Sequence, residues 1–236
     1  MNKQNETIHR LLAKKRYDFN DLTEITALLR GEGGCPWDIE QTHQSIRRCM
    51  IEEAYEVVEA IDNNDPILMR EELGDVLFQV VFHSQIEREA GNFTSDDVIH
   101  DICVKMIRRH PHVFSDAEVH NGEEALSQWE AVKTEEKKRR TLSSRLRAIP
   151  PMLPALIRAQ KVSEKLGKEN AVPDADKLNA LTADFSKHPS RETLGALLTE
   201  LAILATQNGI DAEESLSLAT EKVIQKAEID EKNEKN

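Results

Sequence analysis

The chain has 236 residues, enough for one sizeable domain or two small ones. Its 43 acidic residues outweigh 31 basic ones, and the net charge of −12 argues against a nucleic-acid groove as the main surface. A phosphorylated substrate stays open, because a divalent metal can bridge acidic protein and acidic ligand.

The N-terminal MNKQNETIHRLLAKKR has no apolar core of the kind a secretory signal needs. No apolar run is long enough to span a bilayer, so no membrane partner is expected. Cys35, Cys49 and Cys103 are odd in number and form no CxxC, which points away from a disulfide framework and towards a reducing, cytoplasmic compartment.

Alternating β-branched runs are almost absent, while helical spacing recurs, so the expected class is all-α. FNDLTEITALLRG predicts a first helix stopped at Gly31, and GEGGCPWD a loop after it. A second helix is expected from about Thr42 to Ile61. Asp65-Pro66 then reads as an N-cap with proline at the first helical position, opening a third helix that runs to Ala90 and stops at Gly91. Thr94 with Asp97 resembles a capping box for a fourth helix, which ends where Pro111 forbids its continuation. His110 and His112, flanking that proline, read as part of the helix-ending turn.

Residues 117–149 are highly charged and read as a solvated helical linker, and IPPMLP is the clearest boundary in the chain. A second helical region follows, with EIDEKNEKN as a frayed tail. REELGDVL (70–77) matches RETLGALL (191–198), and VKMIRR (104–109) finds a weaker echo in EKVIQK (221–226). The second half therefore reads as a copy of the first, with Glu72 replaced by Thr193 and Asp75 by Ala196.

The chemistry lies in two acidic pairs. Residues three apart on a helix are ~60° apart around its axis, so Glu53 and Glu56 share one face, as do Glu72 and Asp75 on the next helix. The second pair sits in a stripe with Leu68, Val76 and Gln79. Two helices joined by a short connection pack antiparallel, which lets the pairs face one another. Four close carboxylates raise each other's pKa unless a cation neutralises them. An all-oxygen donor set suits Mg²⁺ or Mn²⁺, not zinc. A di-iron bundle needs ExxH motifs, and the third residue after each relevant glutamate here is Glu or Asp.

GCPWD, EEAYE, EELGDVLFQVVFHSQ, RRHPHVF and WEAVKTEEK, in that order, resemble the MazG family of all-α nucleoside triphosphate pyrophosphohydrolases, strongly over about residues 20–140 and weakly to about 230. The resemblance implies cleavage of nucleoside triphosphates to the monophosphate and pyrophosphate, with Mg²⁺ held by Glu53, Glu56, Glu72 and Asp75. Glu52 completes the EExxE as a further ligand or as the base that orients water. Lys105, Arg108 and Arg109 are the candidate phosphate contacts; Trp129 and Lys133 match the family's W-x-x-x-K, and Trp37 lies in the loop that shapes the pocket. In relatives the second domain also carries the acidic motif and the activity is attributed chiefly to it, so its loss here places catalysis in residues 1–148 and leaves 149–236 as a degenerate helical domain. The expected assembly is a homodimer built as an antiparallel bundle of two tandem MazG-like domains. The competing reading is a helical regulatory module that binds nucleotide and metal but turns over poorly.

Overall fold

The computed structural model describes residues 3–136, 141–167 and 175–234, and every described element is helical. The chain divides into two compact units between Ala125 and Leu126. That division precedes IPPMLP and falls inside one helix, α9 (Gly122–Glu136). The basic run at 137–140 lies outside the described residues.

The first unit opens with α1 (Lys3–Ala13), a helix that the polar N-terminal sequence does not announce. It is tied to α2 (Phe19–Arg30) by charge: Lys14 approaches Asp21 to 2.5 Å, and Arg10 reaches the same carboxylate at 3.2 Å. Lys14 holds the Asp21 carboxyl down at about 2, and the Asp18 backbone N–H, which donates to it in the α2 capping box, adds to the shift.

After α2 the expected loop contains a short helix, α3 (Pro36–Glu40), with proline at its start. The single helix expected over 42–61 is two: α4 (His43–Ile46), capped by Thr42 and Ser45, and α5 (Cys49–Asp62). No glycine or proline marks the joint at Arg47–Arg48, and both residues keep right-handed backbone angles. His43 is bound to His83 and Glu87 of the next long helix, and α5 packs along the same helix.

That helix, α6 (Pro66–Glu89), begins as the sequence predicts. Asp65 accepts from the N–H groups of Ile67 and Leu68, at 2.9 and 3.0 Å. Asn64 turns the chain with φ 52°, and Gly91 (φ 76°) ends it, a conformation that glycine adopts without a Cβ clash. α7 (Ser95–Arg109) has the Thr94–Asp97 capping box in place, and α8 (Pro111–Phe114) follows the proline. The His110 ring bonds the Met106 carbonyl at 2.7 Å, in keeping with a turn residue. α5 packs along α6, and α2 and α7 also pack on α6. Ile46, Ala60, Val81 and Phe82 are buried in this unit.

The second unit contains α10 (Leu142–Arg147), α11 (Ala155–Leu166), α12 (Ala175–Lys187), α13 (Arg191–Gln207) and α14 (Ala212–Glu234). α12 and α11 pack on α13, and α14 on α11 and α13. Gln160 secures the turn before α14, donating to the Ile210 carbonyl at 2.8 Å and accepting from the Ala212 N–H at 2.9 Å. The expected frayed tail is helical to Glu234. Among the described residues no helix is long and apolar enough to cross a membrane.

Candidate functional site

α5 and α6 are joined by three residues, Asn63 to Asp65, and run back along one another. This brings Glu53 and Glu56 of α5 against Glu72 of α6: one oxygen from each lies within 4.8 Å of the others. Glu56 stands within hydrogen-bonding reach of both Glu53 and Glu72. Glu72 is buried, Glu53 half-buried and Glu56 exposed, so the group runs from the packed interior out to solvent.

Burial pushes the Glu53 carboxyl up, and the charges of Asp75, Glu56 and Glu52 push it further. Burial also raises Glu72, reinforced by Glu56, Asp75 and Glu71. Desolvation and like charge act in the same direction here, and both are relieved by a cation. The donors are all carboxylate oxygens, which suits a hard divalent ion.

Asp75 acts on Glu53 and Glu72 through its charge but is exposed and stands outside the three-oxygen group. Glu52 accepts from Arg48 at 2.8 Å and acts on Glu53 through its charge. Lys105 and Arg108 are exposed on α7, and Arg109 is buried there. Trp37 is 61% exposed at the start of α3, its carbonyl accepting from Gln41 at 2.7 Å. Trp129 and Lys133 lie beyond the division, in the second unit. The Lys133 ammonium sits 4.1 Å from the Trp129 ring centre and bonds Glu130 at 3.2 Å. The structure therefore gathers Glu53, Glu56 and Glu72 and keeps Asp75 within electrostatic reach of Glu53 and Glu72.

Residues 41–114 match the model of the MazG nucleotide pyrophosphohydrolase domain. A nucleoside triphosphate pyrophosphohydrolase/pyrophosphatase MazG of Thermotoga maritima is 40% identical over 217 residues, covering 88% of this chain and 83% of that protein. The chain belongs to the MazG family. A nucleoside triphosphate pyrophosphohydrolase of Escherichia coli is 40% identical over 215 residues, covering 85% of this chain and 82% of its own. An uncharacterised Bacillus subtilis protein, YabN, is 50% identical over 148 residues, which is 63% of this chain and 30% of YabN.

The MazG match begins just before α4 and ends with α8. It contains all five candidate carboxylates and excludes Trp37, Trp129 and Lys133.

Sequence reasoning passed over a second set of polar groups beside this hairpin. His43 on α4 bonds both His83 and Glu87 on α6. Arg30 of α2 pairs with Glu89 at 2.7 Å, donates to the Asp38 and Gln41 carbonyls, and lies over the Phe82 ring at 5.1 Å. The only local sign was the one-turn spacing of His83 and Glu87. Their partner His43 is 40 residues from His83 and 44 from Glu87, and no periodicity links it to them.

Proposed function

We propose that this MazG-family hydrolase converts nucleoside triphosphates to the monophosphate and pyrophosphate, and that Glu53, Glu56, Glu72 and Asp75 hold the divalent cation it requires, Mg²⁺ by preference and Mn²⁺ as a substitute. The observation that carries the site is the convergence of three carboxylate oxygens within 4.8 Å, one from a buried side chain and two of them with raised pKa. The names of the Thermotoga maritima and Escherichia coli relatives support the substrate class. When bound, such an ion neutralises phosphate oxygens and lowers the pKa of a water.

The chain's own residues supply the frame. Glu72, fixed in the packed face of α6, sets the depth of the donor group, and Glu56 at the rim faces the side from which a ligand enters. Lys105, Arg108 and Arg109 are assigned to the phosphates and Trp37 to the base or the pocket wall. Trp129 and Lys133 are assigned to substrate on the family motif. Because the Lys133 ammonium already covers one face of Trp129, a base stacks on the other face or displaces it. Glu52, paired with Arg48, fits better as a modulator of Glu53 than as a ligand.

Catalysis is assigned to residues 1–148, and 149–236 to structural support. We further infer a homodimer in the cytoplasm. Ile51, Tyr55 and Val58 of α5 and Leu73 and Leu77 of α6 are 42–54% exposed on one hairpin, apolar surface that a second copy would cover. The three cysteines are free.

The test is incubation of the purified chain with each triphosphate and Mg²⁺, with products resolved by chromatography. Equimolar monophosphate and pyrophosphate support the assignment; nucleotide binding without product supports the regulatory module. Loss of all turnover in Glu56→Gln would place the chemistry in the first half, and full turnover would remove it from there.

A further inference from the structure

The first unit holds a chain of three titratable groups that the carboxylate site does not use. The Nδ1 atoms of His43 and His83 are 2.7 Å apart, with the ring centres 5.0 Å apart and the ring planes within 13°, so the two imidazoles meet edge to edge. His43 Nε2 is 2.6 Å from one oxygen of Glu87, and the Asn92 amide donates to the other at 2.6 Å. Both oxygens of Glu87 therefore accept, and His43 Nε2 must carry a hydrogen. One hydrogen lies between the two Nδ1 atoms. The pair keeps this geometry whether His83 Nε2 is bare or protonated, so it tolerates one imidazolium. A second imidazolium would put a hydrogen on both Nδ1 atoms at 2.7 Å, and the contact would open.

Arg47 follows α4 and Arg88 adjoins Glu87 on α6, while three other charged groups on the surrounding elements have partners of their own. Arg30 of α2 is paired with Glu89 of α6. On α7, Asp97 is bonded to Thr94 and acted on by His100. Arg48, after α4, is paired with Glu52. The His83 pKa is lowered by burial first and by His43 second. That of Glu87 is lowered by Asn92 and by His43.

The clasp joins α4 to α6 just before α5, and α5 carries Glu53 and Glu56. We propose that His43, gripped by His83 and Glu87, is a positioning residue that fixes the start of α5 against α6, and that the grip releases when both imidazoles are protonated. The positioning role rests on the carboxylate site proposed above; the proton-sharing does not.

The sign follows from linkage. A histidine with a lowered folded-state pKa contributes stability that is fully present above the unfolded value of 6.5 and is lost as pH falls through the folded value. Glu87 contributes in the same sense, but below 4.5.

Three measurements on the full chain test this. Imidazole ¹⁵N shifts followed from pH 8 to 5 should show one hydrogen shared between the His43 and His83 Nδ1 atoms at pH 8, a signature that is lost on the acid side of 6.5. Two imidazoles with no shared hydrogen at pH 8 would overturn the clasp. In His83→Asn, whose amide replaces the Nδ1 contact without titrating, the melting temperature should fall less between pH 7 and 5.5 than in wild type; an equal fall would also overturn it. In His43→Phe the Mg²⁺ concentration for half-maximal turnover should rise about tenfold, the range for groups that orient a metal ligand. An unchanged value would remove the positioning role while leaving the ¹⁵N result standing. If Glu72→Gln were fully active, the carboxylate reading alone would fail, again without touching the ¹⁵N result.

Discussion

The two hairpins α5–α6 and α12–α13 face the same problem, a carboxylate buried between helices, and solve it differently. In the first, Glu72 is buried beside Glu53 and Glu56, and the groups that perturb it are themselves carboxylates. In the second, Glu200 is 3% exposed and receives the Lys177 ammonium at 2.5 Å. One hairpin leaves its negative charge to be balanced from outside, and the other balances it with its own side chain. The first arrangement is poor for stability and useful for binding a cation; the second closes the site.

The comparison also qualifies the repeat. Matching 70–77 with 191–198 places Glu200 opposite Gln79, and both have a buried Oε1 without a partner. Counting from the helix starts gives another register. Asp75 and Glu200 each lie ten residues after the N-cap, Asp65 and Ser190 respectively. Lys177 precedes the end of α12 by ten residues, as Glu52 precedes the end of α5. The two registers differ by four residues, close to one helical turn. A shift of about a turn keeps the same face inward, so the packing survives while the polar groups change level.

The largest expected effect is on turnover. Glu72→Gln should lower kcat at least about 100-fold, at or above the top of the range for groups that merely orient a ligand, with helicity by circular dichroism near wild type. Glu200→Gln should leave kcat within a few-fold. Comparable losses in both variants would erase the distinction between the hairpins.

Stability should separate them in sign. Without metal, Glu56→Gln removes a carboxylate that repels two others, and the melting temperature should rise. Lys177→Met leaves Glu200 buried without its ammonium and should cost about 1–3 kcal/mol, kept modest because Lys177 is half-exposed and water screens the pair. Chemical denaturation reads both, and a double variant, Lys177→Met with Glu200→Leu, should recover most of the loss.

Mg²⁺ should stabilise wild type by about 2.7 kcal/mol at one hundred times its dissociation constant. The gain should vanish in Glu72→Gln and persist in Lys177→Met. Persistence in Glu72→Gln would move the cation elsewhere.

The smallest effect lies outside both hairpins. Asp21, held at about 2 chiefly by Lys14, stabilises the docking of α1 at pH above 3.8, and this is lost as pH falls through about 2. Asp21→Asn should flatten the acid limb of the melting curve and leave metal binding unchanged.

Local signals made most of the frame legible. Asp65-Pro66, Thr94 with Asp97, and Gly31 and Gly91 marked helix limits because caps and stops depend on residues within one turn. The spacing of Glu53, Glu56, Glu72 and Asp75, with a short connection between their helices, pointed to one acidic group because helix geometry is fixed. Two features depended on the tertiary structure: the His43–His83–Glu87 clasp and the Lys177–Glu200 pair. Each depends on which atoms from distant segments come within about 3 Å. Local sequence sets where a helix starts and which face is apolar, but packing sets the depth and rotation at which helices meet. That is why Glu72 is buried while Asp75, one turn on, remains exposed.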